Sequence, residues 1–132
     1  LDAIESYAAA AKLQAPRVVE RTRERLRNRI QELRSSAPTA MDQQAIEREV
    51  CLFADRCDIQ EELDRLASHL AQFRKALTTG GEAGKQLEFI AQEFLREINT
   101  TAAKAADAEI IGRAVEAKLA VEKIKEQAAN IE

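Results

Sequence analysis

Apolar residues return every three or four positions from Ile46 to Leu77 and again from Leu87 to Ile131, and the glycine-rich stretch TTGGEAG at 78–84 separates the two runs. That spacing lines one face of an α-helix and fits no strand, whose faces alternate every second residue. The first run is Ile46, Val50, Phe53, Cys57, Leu63, Leu66, Leu70, Phe73 and Leu77, with one gap at Gln60. Neither proline nor glycine interrupts it, so the spacing predicts one helix from an N-cap at Asp42, about 50 Å long. Adjacent glycines at Gly80-Gly81 accept left-handed backbone angles and end a helix at low cost. The second run, Leu87, Ala91, Phe94, Ile98, Ala102, Ala106, Ile110, Ala114, Ala117, Val121, Ile124, Ala128 and Ile131, predicts a helix from Gly84. Its middle steps are all fours, which alters the supercoil and places a bend or break between Asn99 and Gly112.

The expected fold is therefore all-α, a long antiparallel helical hairpin of coiled-coil type over 42–132, preceded by two shorter N-terminal helices within 1–36. The first of these spans Leu1–Leu13, with Leu1, Ile4, Tyr7, Ala8 and Ala11 on one face. The second starts at Pro16, which suits a first helical turn, and runs to about Arg34 behind an inner stripe of Val19, Thr22, Leu26, Ile30 and Leu33. Ser and Pro in SSAPTA (35–40) make a loop. Composition agrees: 45% apolar, 33% charged, 4% aromatic and no Trp suit narrow helix seams better than a deep globular core.

Folding the hairpin about its glycines pairs residues whose numbers sum to roughly 161. Leu63 then faces Ile98, Leu66 faces Phe94 and Leu95, and Leu70 faces Ala91. The same register gathers polar residues along one edge: Glu62, Arg65 and His69 from one helix, Glu93 and Glu97 from the other. Asp58 and Lys104 lie further along and are expected to pair. A histidine among carboxylates can bind a divalent metal or move protons. Glu93 and Glu97, one turn apart, are placed to share an ion, with His69, the only histidine, as a third ligand. Carboxylate oxygen suits Mg²⁺ or Mn²⁺, and imidazole tilts the choice toward Mn²⁺ or Zn²⁺. The other reading of this edge is a set of helix-flank ion pairs beside a coiled-coil seam.

A second signal is basic. Arg17, Arg21, Arg25 and Arg29 repeat every four residues, joined by Arg23, Arg27 and Arg34. Against three glutamates they give this segment +4 in a chain whose net charge is −3. Like charges at i, i+4 repel, so an anion such as an RNA backbone would suit the stripe. A solvated helix, or one packed on an acidic neighbour, reads equally well. No aromatic residue interleaves with these arginines, so stacking on single-stranded bases is not expected there. No glycine-rich phosphate loop, nucleophile elbow or Cys/His zinc spacing occurs. Cys51 and Cys57, six residues apart, are about 9 Å apart along one helix, too far to bridge, and read as reduced thiols of a cytosolic protein. No apolar run approaches the ~20 residues of a membrane span. The chain starts at Leu1 and its only methionine is Met41, which suggests a piece of a longer protein.

Several long motifs carry a resemblance. DIQEELDRLASHLAQF (Asp58–Phe73), GKQLEFIAQEFLREINT (Gly84–Thr100), KAADAEI (Lys104–Ile110) and VEKIKEQAANIE (Val121–Glu132) resemble the YicC/YloC family of bacterial proteins. Phe94-Leu95 departs from that pattern, where Met or Leu followed by Asn is expected. The resemblance implies a cytoplasmic, divalent-metal-dependent endoribonuclease acting on RNA, assembled as a ring-shaped hexamer. It also implies that this chain is the C-terminal helical domain, partnered by an absent N-terminal domain and weak or inactive alone. The family's EELxRLxSH motif falls on Glu61, Glu62, Leu63, Arg65, Leu66, Ser68 and His69, and its QExxREINT motif on Gln92, Glu93, Arg96, Glu97, Ile98, Asn99 and Thr100. The expected catalytic group is then His69, Glu62, Glu93 and Glu97, with metal on Glu93, Glu97 and His69. The expected RNA contacts are Arg65, Arg96, Arg17, Arg21, Arg25 and Arg29. The alternative is a non-catalytic oligomerisation or RNA-binding module.

Overall fold

Among the described residues five helices follow one another: α1 (Asp2–Ser36), α2 (Gln43–Arg56), α3 (Gln60–Thr79), α4 (Gly84–Ala105) and α5 (Ala108–Asn130). The computed structural model describes the backbone of residues 1–36, 43–80 and 83–130, and their side chains except at 33–36 and 43. The predicted roles of Leu33, Arg34, Asp42, Gly81 and Ile131 and residues 37–40 of the SSAPTA loop lie outside the described residues, while Ser35 and Ser36, expected in that loop, extend α1. The all-α class and the antiparallel α3–α4 hairpin hold, and the finer divisions change in three places.

The N-terminal segment is one helix rather than two, with Pro16 inside it. A mid-helix proline removes one backbone bond at a cost of ~3 kcal/mol. The offset lies in the stripe that runs through it: Ile4, Tyr7, Ala11, Ala15 and Val18 are all buried, at steps of three and four. This face packs against α3, α4 and α5, while α1 also contacts α2. Burying five apolar side chains in one line favours keeping the segment helical through the proline.

The first long run breaks into α2 and α3 at Cys57–Ile59. The gap at Gln60 is the cause. Ile59, off the predicted stripe, is fully buried, and the chain must turn to carry it inward. The last turn of α2 tightens, with Cys57 N donating to Ala54 O (3.0 Å) and Asp58 N to Asp55 O (3.1 Å). The Asp58 carboxylate then accepts the Gln60 amide at 3.0 Å. Burial also shifts by one residue at two positions: Ala54 and Ala76 are buried, whereas Phe53 and Leu77 are exposed.

The second run breaks at Ala106-Asp107, between the predicted limits but not at Gly112, which lies within α5. Ala106 takes the left-handed conformation (φ 47°, ψ 40°), and its amide reaches Ala102 O. Asp107 caps the next helix, its Oδ1 accepting the amides of Glu109 and Ile110, both at 3.1 Å. The corner turns α5 back along α4, so α4 is flanked by α3 and α5 instead of continuing past the hairpin. Small residues on α5, Ala114, Ala117 and Ala128, are buried alongside Ile110 and Val121 and let the helices approach closely. Gly80, at φ 69°, closes α3. Cys51 and Cys57 are free thiols. No helix among the described residues is long and apolar enough to cross a membrane.

Candidate metal centre on the hairpin edge

The hairpin register carries the polar edge into place. Leu63, Leu66, Leu70 and Phe73 of α3 are buried against Leu87, Ile90, Ala91, Phe94 and Ile98 of α4, and the Phe73 and Phe94 rings sit 5.6 Å apart, tilted at 46°. Residues beside this seam face one another across it. His69 Nε2 lies 3.8 Å from Glu93 Oε2. Arg65 Nε donates to Glu97 Oε1 at 3.1 Å, and its Nη1 to Glu61 Oε1 at 2.8 Å. One ligand atom each from His69, Glu93 and Glu97 lie within 4.8 Å of one another. The expected gathering of Glu62, Arg65, His69, Glu93 and Glu97 on one edge is present.

Lys104 takes a different partner from the one expected. It donates to Glu62, not to Asp58, because the break at Cys57–Ile59 removes Asp58 from the helix and commits its carboxylate to the Gln60 amide. Glu62 is only 2% exposed and Glu97 only 3%. Arg65 Nη2 approaches Glu62 Oε1 to 3.5 Å, so the guanidinium bridges both buried acids. Burial pushes the Glu62 carboxyl up. The hydrogen bond from Lys104, its own backbone amide, and the charges of Lys104 and Arg65 outweigh that and hold it below the usual carboxylate range. Burial likewise works against the Arg65 charge, but Glu97 and Glu61 prevail and raise its pKa. Glu62 Oε2 is buried and has no hydrogen-bond partner among the described residues.

The charge balance favours a cation. Glu61, Glu62, Glu93 and Glu97 face two permanent cations, Arg65 and Lys104. Carboxylate oxygens suit Mg²⁺ or Mn²⁺, and the imidazole tilts the set toward Mn²⁺ or Zn²⁺. Ligands around an ion at ~2.1 Å sit roughly 3–4.2 Å apart, so modest side-chain movement from the present spacing is enough.

The other predicted residues lie elsewhere. Arg96 is exposed on α4, outside the cluster. Arg17, Arg21, Arg25 and Arg29 are exposed on α1. Arg21 is held by Asp107 at 2.6 Å. That hydrogen bond lowers the Asp107 pKa, and the Ile110 and Glu109 amides add to it, against partial burial. Sequence reasoning placed Tyr7 on an inner face but missed its polar role, and missed Thr101. The buried Tyr7 hydroxyl shares a hydrogen bond with Thr101 Oγ1, which in turn donates to Ile98 O at 3.0 Å, and the Tyr7 oxygen lies 3.4 Å from the same carbonyl. This clamp sets α4 against α1 one turn beyond Glu97. Tyr7 is the only tyrosine in the chain. That was a usable signal for a buried polar anchor, though nothing local named its partner.

Comparison with known proteins places this site in context. Residues 11–132 match the family described as "Endoribonuclease YicC-like, C-terminal". The chain is 39% identical over its whole length to a probable endoribonuclease YicC of Haemophilus influenzae, and 36% identical to one of Clostridioides difficile. It spans 45% and 42% of those two proteins, less than half of each. The match covers α2 to α5 and most of α1, including every residue of the polar edge, and the chain belongs to the YicC-like endoribonuclease C-terminal family.

Proposed function

We propose that this chain is the metal-holding helical domain of a divalent-metal-dependent endoribonuclease. The observation that carries the reading is the convergence of His69, Glu93 and Glu97 from two helices onto one edge, in a family whose curated members are named probable endoribonucleases. The three side chains would hold Mn²⁺ or Mg²⁺, which when bound supplies Lewis acidity and offsets charge on the phosphodiester. The chain's own residues do the rest. Glu93 and Glu97 bring negative charge to the edge, and His69 adds a nitrogen donor or moves a proton near the attacking water. Arg65 orients Glu97 and presents a guanidinium to phosphate. Lys104 balances Glu62, whose free Oε2 is an acceptor for a bound water. Arg96 is outside this group and would reach RNA only across an interface. The reading carries with it a cytoplasmic location.

The test is cleavage of an RNA oligonucleotide by the full-length protein in Mn²⁺ against EDTA, with His69→Ala and Glu93→Gln beside the parent. Loss of cleavage in EDTA and a drop of at least a hundredfold in both variants is expected. Full cleavage by both would remove these residues from the chemistry.

One observation favours an additional assembly role. Ile111, Val115 and Leu119 form an exposed apolar stripe at steps of four on α5. Such a face suits self-association, including a hexamer. Sedimentation of Val115→Glu against the parent tests it: an unchanged mass at equal concentration would exclude this face from assembly.

A further inference from the structure

Sequence alone offers the arginine helix no aromatic neighbour. The fold supplies one. Phe53 of α2 is 46% exposed and lines, with Cys57, a pocket of about 260 Å³ against α1. Val18 is buried at its floor, Arg21 and Arg25 stand at its rim, and Ala105–Asp107 of the α4–α5 corner close its end. The two arginines are not equivalent. Arg21 is held by Asp107, and its Nε donates to Arg17 O at 3.3 Å. Arg25, with Arg17 and Arg29 a turn or two away on the same helix, makes no ion pair among the described residues.

We propose that this pocket is a nucleotide subsite for single-stranded RNA, seating one base on the Phe53 ring and its flanking phosphates on Arg25 and Arg29. An aromatic face beside guanidinium groups is the chemistry that holds single strands: the ring stacks any base, and the cations track the backbone. The volume, below the ~300 Å³ typical of the smallest drug-sized sites, suits one base and not an extended side-chain cluster of a protein partner. The seat is also placed for the reaction. Ala105 follows Glu97 by eight residues on α4, an axial rise of about 12 Å, so a strand of a few nucleotides spans from subsite to metal centre. The inference rests on the reading of the protein as an RNA enzyme, and it adds where a base away from the cleaved bond is held.

Cys57 makes the pocket measurable without catalysis. In EDTA, with the chain intact, a ten-nucleotide oligoadenylate at saturation should slow maleimide labelling of Cys57 at least fivefold. Cys51, exposed elsewhere on α2, should label at an unchanged rate, the two being separated by peptide mass spectrometry. Phe53→Leu keeps an apolar side chain without the stacking face and should weaken decamer binding about tenfold. Arg25→Gln, which alters no packing, should lower the salt slope of binding by about one. Far-UV circular dichroism checks that both variants fold. Decamer binding that leaves Cys57 unprotected, or that Phe53→Leu does not weaken, overturns the subsite and leaves the RNA reading standing. Equal protection by inorganic phosphate overturns the base seat in favour of an anion site. Failure of the decamer to bind at all overturns the RNA reading and the subsite together.

Discussion

The hairpin edge and the arginine face of α1 are both dense in charge, yet they are organised in opposite ways. On the edge, opposite charges arrive from two helices, and two of the acids, Glu62 and Glu97, are almost wholly buried. On α1, like charges repeat along one helix, and Arg17, Arg25 and Arg29 are exposed without ion pairs among the described residues. A buried charge must be matched on the spot, because removing its partner leaves it in a low-dielectric setting. An exposed one is screened by water and remains available to a ligand. The charges of the edge are therefore tied to folding, whereas those of the α1 face add little to stability.

The largest test of this contrast is Lys104→Met. It removes the nearer of the two cations of Glu62 and leaves Arg65 at 3.5 Å, and we expect a loss of about 1–3 kcal/mol, below the full cost for a deeply buried pair because Lys104 is itself 39% exposed. Urea unfolding followed by circular dichroism measures it. Adding Glu62→Leu should recover most of the loss, since no charge is then left unmatched; a double variant as unstable as the single would mean that shape, not charge, holds the edge.

Acid should act on this edge and on the α4–α5 corner. Glu62 and Asp107 have folded-state pKa values below their ordinary ones. Their contribution is complete above the unfolded carboxylate range of about 4 and is lost as pH falls through the folded values. The urea midpoint should hold from pH 7 to 5 and drop below pH 4. Glu62→Gln should flatten that drop, and an unchanged acid limb would show that Glu62 is not its source.

Tyr7→Phe should cost about 0.5–1.5 kcal/mol, because Thr101 keeps its bond to the Ile98 carbonyl. If the clamp sets α4, the variant should also weaken Mn²⁺ binding by titration calorimetry. The smallest effect on folding belongs to the other face. Arg29→Gln should leave the urea midpoint where it is while lowering the salt slope of RNA binding by about one. A shifted midpoint with an unshifted slope would reverse the assignment of the two regions.

Much of this was legible in the sequence because helical periodicity is local. Steps of three and four name the buried face, and two glycines name the reversal. From these the pairing of His69 with Glu93 and of Arg65 with Glu97 follows by counting. The family motifs lie on the same residues. What periodicity could not decide is where a helix yields to tertiary packing. Pro16 reads as a start, but the burial of Ala15 and Val18 carries the helix through it. Ala106 carries no glycine or proline signal and still takes a left-handed turn, because α5 gains more by packing on α4 and α1 than by continuing straight.

By itself, the order of residues determined the all-helical class, the hairpin and the edge on which acids and imidazole meet, since each depends on spacings within a turn or on symmetric distance from one reversal. Tertiary structure alone decided that Lys104 serves Glu62, that Tyr7 anchors α4, and that Phe53 comes to lie beside the arginines. Those partners stand on helices joined by corners, and a turn of a few residues at a corner redirects everything beyond it.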